Sequence, residues 1–591
     1  MPNTLHALWP RLARNGGVSA LVALAACSND KGTVEPQPIN LTATAVTLDL
    51  FATQTVTGAG GVKFVNPGRY AVMPQFAATQ DFATGTSRAT VPDYPFSIGG
   101  AGTLTARVEP LPEERPNLSV AEAFHMRMRE VETDEAPRAM AYMQQLKARG
   151  PISLRVQSAQ AAPNRDFKVL SSLTTSTYAT VTARLLYEGT NVLLYVDNQP
   201  TVTTTFTDTE YQSFGKQFDE DLFPIDTRAF GNTSDIDANG KTYVLFTPIV
   251  NRLSLAGSQC GSYVAGFFNG ADLSGNVNAN RAEIFYSSVP GEPAGGSTCT
   301  PLGLPVVRQS APATFIHELQ HMISYNQHVL SRNAATEAVW LNEGLSHMAE
   351  ELGGKLYEAR YPCPNLPPCP PAGRRSTEQI FPDSAQGFLP PNFGNAYDFF
   401  SSRLDYSLTS PTGFGTIEER GVAWLFLRWL IDQKGEARLA QLLQTRNVGT
   451  ANIEAVAGEP FTRLYADFLT ATLLDDYPGT TAGQIPARYQ YSSRNLRAIY
   501  ARLNLINQPP TPQSPPNPYP TAYPLDVADL ALGDRLTPTS PLQSRQMKPG
   551  SLELFSFTST SSNTALTFKP TTGNGFLASL NAQVTVVRLP N

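Results

Sequence analysis

Between residues 38 and 110 apolar and polar positions alternate, with Val46, Leu48 and Leu50 separated by Thr47 and Asp49. A period of two predicts β-strands, and the Asn66-Pro67-Gly68 turn divides Val62 and Phe64 from Tyr70 and Val72. The period then changes. A proline-containing stretch from Pro110 to Pro116 leads into a predicted helix over about Val120–Ala148, closed by Gly150-Pro151. Strands are predicted again at Tyr178–Tyr187 and Val192–Asp197, joined as a hairpin across Glu188-Gly189-Thr190-Asn191. Thr207 and Glu210 are spaced as a capping box ahead of a helix whose apolar stripe is Tyr211, Phe214, Phe218 and Leu222. After strand-like runs at Tyr243–Val250 and Ala282–Ser287, helical spacing takes over at about Ala311–Leu330, Glu337–Leu352, Glu418–Gln433, Glu436–Gln444 and Phe461–Leu474.

Strands before helices predict an α+β fold, and 591 residues exceed what one hydrophobic core can serve. The expected division is a β-rich N-terminal module at 28–118, a helical connector at 119–166 and a main α+β domain at 167–507. Eight prolines between Pro509 and Pro524 predict a stiff linker at 508–524, and alternation at Leu552, Leu554, Phe555 and Phe557 predicts a small C-terminal β module at 525–591.

Charged residues make up only 16% of the chain and the net charge is -6, which leaves no basic excess for nucleic acid. The first 27 residues read as an export signal, with Arg11 and Arg14 ahead of an apolar run from Val18 to Ala26. Leu24-Ala25-Ala26-Cys27 resembles the lipobox of bacterial lipoproteins, which implies a lipidated Cys27 anchored in the cell envelope, with outer-membrane sorting in a diderm bacterium. Cleavage after Ala25, releasing a soluble secreted protein, is the alternative. Cys260, Cys299, Cys363 and Cys369 remain as an even set in an oxidising compartment, with local pairing of Cys260 to Cys299 and Cys363 to Cys369 favoured among three connectivities.

Four of the six histidines lie between His317 and His347. His317-Glu318-Leu319-Gln320-His321 is the H-E-x-x-H pattern inside a helix that Pro312 can start. Residues at i and i+4 share one helical face, so two neutral imidazoles reach a single zinc ion. Glu318, turned about 100° from His317 around the helix, is placed beside the open coordination position as a general base. The third histidine of the metzincin pattern is missing, because Ser324 and Gln327 stand at its diagnostic positions. Trp340-Leu341-Asn342-Glu343-Gly344 instead resembles the segment that carries the third ligand, a glutamate, in gluzincins.

With the Ile316–Asn326 context, residues Phe167 to Tyr477 resemble the hyicolysin-like metallopeptidases. That resemblance implies a zincin-like catalytic domain, Zn²⁺ on His317, His321 and Glu343, Glu318 as the base, and a protein or peptide substrate cut by an activated water. Gluzincins place an aspartate four residues after the glutamate ligand to orient a histidine, whereas His347 stands there in this chain. Either Glu350 or Glu351 then builds that contact, or His347 itself makes a contact to Glu343. Tyr397 and Tyr406 are candidate oxyanion donors, and Glu283–Ser287 a candidate edge strand for substrate. Asp235-Ile236-Asp237-Ala238-Asn239-Gly240 reads as a polar turn, with a Ca²⁺ loop as the alternative, because Phe246 stands where an EF-hand needs its glutamate. Two other functions compete with a peptidase: a surface lipoprotein that binds a partner without turnover, and a zinc hydrolase of a non-peptide substrate.

Overall fold

The computed structural model describes residues 43–79, 94–100, 119–148, 161–172, 176–198, 205–253, 260, 263–294, 298–360, 387–409, 415–509, 511, 514–538, 542–562, 564–571 and 575–591. The expected signal, Cys27, and the Cys363 and Cys369 pair lie outside those residues. None of the described helices is long and apolar enough to cross a membrane.

The fold is α+β. The strands are β1 Ala43–Val46, β2 Thr53–Thr57, β3 Gly60–Phe64, β4 Gly68–Phe76, β5 Tyr94–Gly99, β6 Asn164–Ser172, β7 Thr177–Glu188, β8 Val192–Asp197, β9 Thr242–Phe246, β10 Gly266–Phe268, β11 Ile284–Ser287, β12 Arg535–Leu536, β13 Gln543–Met547, β14 Phe555–Ser559, β15 Thr564–Pro570 and β16 Ala582–Leu589. The helices are α1 Val120–Ala148, α2 Asp208–Gln217, α3 Phe223–Phe230, α4 Pro248–Asn251, α5 Leu304–Tyr325, α6 Val339–Arg360, α7 Pro390–Ser401, α8 Ile417–Lys434, α9 Arg438–Leu443, α10 Gly449–Ala457, α11 Phe461–Leu474 and α12 Leu496–Ile506.

The β-rich segments at the two ends of the chain do not stand apart. They interleave as two five-stranded sheets, β1-β3-β15-β5-β13 and β12-β14-β4-β16-β2. β4 pairs antiparallel with β16 from Phe76 opposite Ala582 to Arg69 opposite Leu589. Phe64, Val72, Phe557, Leu566 and Val586 fill the layer between the sheets, as inward-facing positions of a β-sandwich should. The proline-rich stretch is packed as well: Tyr523 is buried against Tyr500, and Tyr519 meets Tyr397 edge-on at 5.1 Å. Prolines stiffen that segment without holding it away from the helices.

The third sheet runs β10-β11-β9-β8-β7-β6. Its central pairs β8–β9 and β9–β11 are parallel, and β10 is added antiparallel at one end. Side chains alternate across it. Val244, Phe246, Phe268 and Phe285 face the helical core, whereas Tyr243, Leu245, Phe267 and Tyr286 face the opposite side. α2 opens on the expected capping box, in which Thr207 accepts from the Glu210 N–H and the Glu210 carboxylate accepts from the Thr207 N–H. α5 begins earlier than Pro312 predicts. Pro305 occupies its first turn and Pro312 lies inside, so the metal-motif residues fall in the fourth and fifth turns, where the helix is continuous. Cys260 and Cys299 form the expected disulfide.

α6 lies between α5 and α8. Leu341, Leu345 and Met348, spaced i, i+4 and i+7, are fully buried. Gly344 faces α8 rather than α5: a β-carbon there would lie 3.1 Å from both Ala423 Cβ and Leu427 Cδ1. The far end of α6 is tied by charge. Glu351, fully buried, accepts from Arg494 at 2.7 Å and from the Trp424 indole at 3.0 Å, with Arg428 at 3.6 Å. Burial opposes its ionisation, but Arg428 and Arg494 hold its carboxyl down at about 2. Glu351→Ala therefore removes the buried carboxylate that two guanidinium groups share, although Arg428 keeps Asp432 at 2.8 Å. Urea unfolding should show a loss of about 3–5 kcal/mol. The same variant should keep its metal, since Glu351 is outside the histidine group described below.

Candidate metal centre

The i, i+4 spacing on α5 brings His317 Nε2 within 3.1 Å of His321 Nε2. From α6, Glu343 places Oε2 3.5 Å from His317 Nε2 and Oε1 3.7 Å from His321 Nε2. Ligands held tetrahedrally at the usual zinc distances sit about 3.3 Å apart, so these separations suit one ion. The hydrogen bonds suit it too. His317 Nδ1 lies 2.8 Å from Glu350 Oε1, and His321 Nδ1 lies 3.2 Å from Asn342 Oδ1. With the Nδ1 proton given to each of these oxygens, a lone pair on Nε2 is available to a metal. Two lone pairs and a buried carboxylate with no hydrogen-bond partner on either oxygen then converge on one point. Such a donor set fits a divalent cation.

Of the residues considered for orienting a ligand histidine, Glu350 is the one that bonds His317. It bridges two imidazoles, since its Oε2 lies 2.8 Å from His347 Nδ1. Burial opposes its ionisation, but His347 and His317 hold its carboxyl down at about 2. His317, His347 and Glu350 also form a group with ligand atoms within 4.8 Å of one another, but those atoms already bond to each other.

Glu318, fully buried, is on α5 beside this group. Its Oε2 accepts the Phe268 N–H at 3.0 Å, and its Oε1 has no hydrogen-bond partner. Burial raises its pKa against the pull of His317 and Arg129. Phe268 belongs to β10, which corrects the expected edge strand. Ile284–Ser287 forms β11, flanked by β10 and β9, so the edge at this end of the sheet is β10.

The tyrosine candidates are committed elsewhere. The Tyr397 hydroxyl donates to the Thr521 carbonyl and accepts its N–H, both at 2.9 Å, and Tyr406 bonds to Glu418. Three basic residues not singled out in the sequence stand there instead. Arg420 of α8 places Nη1 3.3 Å from Glu343 Oε2 while its Nε donates to the Gly415 carbonyl at 2.7 Å. Arg129 of α1 lies 3.8 Å from Glu343 and 3.9 Å from Glu318. His125, one turn earlier, lies 3.8 Å from Glu318. Arg420 sits in the charged first turn of α8, ahead of its apolar run, and carried no sequence signal; the residues of α1 carried none beyond helical spacing.

Asp235 accepts from the N–H groups of Asn239 and Gly240, and Asp237 from Asn239 and Tyr243, which accounts for the shape of the polar turn. Asp235, Asp237 and Glu283 bring ligand atoms within 4.8 Å of one another.

With that geometry in hand, one similarity gives it a chemical context. The chain is 29% identical over 214 residues to the neutral metalloprotease ShpI of Staphylococcus hyicus. The match covers 35% of this chain and 45% of that protein, so less than half the relative's length is shared. No family profile matches the chain.

Proposed function

We propose that this protein is an exported zinc endopeptidase of the hyicolysin-like, gluzincin type, with His317, His321 and Glu343 as ligands and Glu318 as the base. The observation that carries the reading is the convergence of two imidazole Nε2 atoms and a buried carboxylate with no hydrogen bond on either oxygen, beside a second glutamate. Similarity to a neutral metalloprotease supports the reaction class. Export rests on the signal-like first 27 residues, and envelope anchoring on Cys27.

Zinc, when bound, polarises a water and a peptide carbonyl and favours the negative charge that develops during attack. Glu318 takes the water's proton on Oε1, the oxygen left free while Phe268 N–H holds Oε2. It then delivers the proton to the departing amine. Arg420 restrains the Glu343 carboxylate, and Glu350 keeps His317 in the tautomer that points a lone pair inward. Glu350→Ala should therefore weaken zinc binding by about 10- to 100-fold, read by competition with a chromogenic chelator.

Digestion of casein and of a peptide library by the purified chain, read by mass spectrometry, tests the function. Internal peptide cleavage abolished by 1,10-phenanthroline and restored by zinc is the expected result. Zinc binding without any cleavage sinks the peptidase reading.

A further inference from the structure

Helix α1 lies over the site. Its first half packs with one face of the six-stranded sheet, through Phe124 and Met128, and its second half with the helical core on the other face, through Ala136 and Ala139. It therefore crosses the sheet's end at β10. Phe124 meets Phe267 edge-on at 5.2 Å, and a β-carbon on Gly270, just after β10, would lie 2.9 Å from Glu132 Cγ. That end is where an extended peptide would add its backbone to the sheet.

The face of α1 turned to the metal group repeats at i, i+4, i+7: His125, Arg129 and Glu132. Arg129 spans the base and the third ligand, at 3.9 Å from Glu318 and 3.8 Å from Glu343, while Glu132 lies 3.1 Å from its Nη2. With α1 in place Glu318 and Glu343 are 0% exposed and His321 is 1% exposed. No peptide bond reaches the base in this arrangement.

We propose that α1 is an internal occupant of the substrate groove, latched by Arg129, and that the enzyme opens by withdrawing it. The proposal rests on the peptidase reading for its consequence but not for its geometry. The latched face is poorly satisfied. Arg129 Nε and Nη1 and His125 Nδ1 lack hydrogen-bond partners while buried, and Arg129 Nη2 and Glu132 Oε1 meet only as an ion pair at 3.1 Å. Such a face costs free energy when docked, so a modest gain elsewhere releases it. The latch is also a cation beside a cation-binding group. Covering the site also slows the passage of a metal ion or chelator, so opening governs exchange at His317, His321 and Glu343 as well as access of substrate.

The test uses the full zinc-loaded chain in three forms: wild type, Arg129→Ala, and Glu132→Cys with Gly270→Cys, which ties α1 to the turn after β10. Two rates are read, casein hydrolysis and zinc extraction by excess chelator. Arg129→Ala should raise both at least tenfold. The tied variant should lower both at least tenfold, and mild reductant should restore them, with reduced wild type as the control for Cys260–Cys299. Equal extraction rates in all three forms overturn the proposal. So does an Arg129→Ala enzyme that hydrolyses more slowly at an unchanged extraction rate, since Arg129 would then serve the reaction itself. Absence of hydrolysis in every form, with the expected extraction rates, fails the peptidase reading and leaves α1 as the cover.

Discussion

Glu318→Gln should retain close to one zinc per chain and lose hydrolysis by about 10²- to 10⁴-fold, the range in which a positioned acid–base group contributes. Retention is expected because Glu318 is not among the residues whose ligand atoms converge; His317, His321 and Glu343 are. Loss is expected because the amide keeps the side chain's shape and can still accept the Phe268 N–H, yet takes no proton from water. Packing should not change, since Glu318 sits fully buried and glutamine has nearly the same volume. Metal analysis and initial rates on the same preparation separate the two effects. A variant that turns over at the wild-type rate removes Glu318 from the role of base, and one that loses its zinc makes it a ligand.

The parts of this fold that could be read from sequence are those decided locally. α1 and α11 begin and end where periodicity and flanking breakers place them, and Thr207 caps α2 through two hydrogen bonds only three residues apart. His317 and His321 meet because one turn of helix brings them together whatever the rest of the chain does. Strand alternation is different: it says that a segment has a buried face and nothing about its neighbour. So β4 and β16, joined from Phe76 opposite Ala582 onward, gave no hint of each other across five hundred residues of sequence. The same limit hid α1. Its amphipathic pattern predicts a helix, but only tertiary packing carries Arg129 to Glu343. Gly344 shows that limit at a single position, for a glycine permits close approach without naming the helix that approaches, and here it is α8.

Glu343→Ala should cost more zinc affinity than any other substitution on α6, exceeding the about 10- to 100-fold expected of Glu350→Ala. The alternatives on α6 and just before it are each accounted for. Glu337 accepts the Gly449 N–H at 2.6 Å and the Asn452 amide at 2.7 Å, and Glu351 is held by Arg494 and Trp424. His347 and Glu350 bond to each other. Glu343 alone among them is fully buried with neither oxygen hydrogen-bonded, and both oxygens face the imidazole Nε2 atoms. Burial opposes its ionisation, yet Arg420 and His321 hold its carboxyl well below the usual carboxylate range, so it stays an anion beside the imidazole pair. Removing it leaves two imidazoles, one ligand short of the set that zinc enzymes use, and leaves Arg420 without its carboxylate. Glu343→Gln serves as the companion variant, since it preserves volume and discards only the charge. Zinc retained after dialysis, measured beside the thermal midpoint of each variant, separates lost ligation from lost folding. A folded Glu343→Ala that holds zinc as the wild type does, while His347→Ala or Glu350→Ala releases it, moves the third ligand one or two turns along α6.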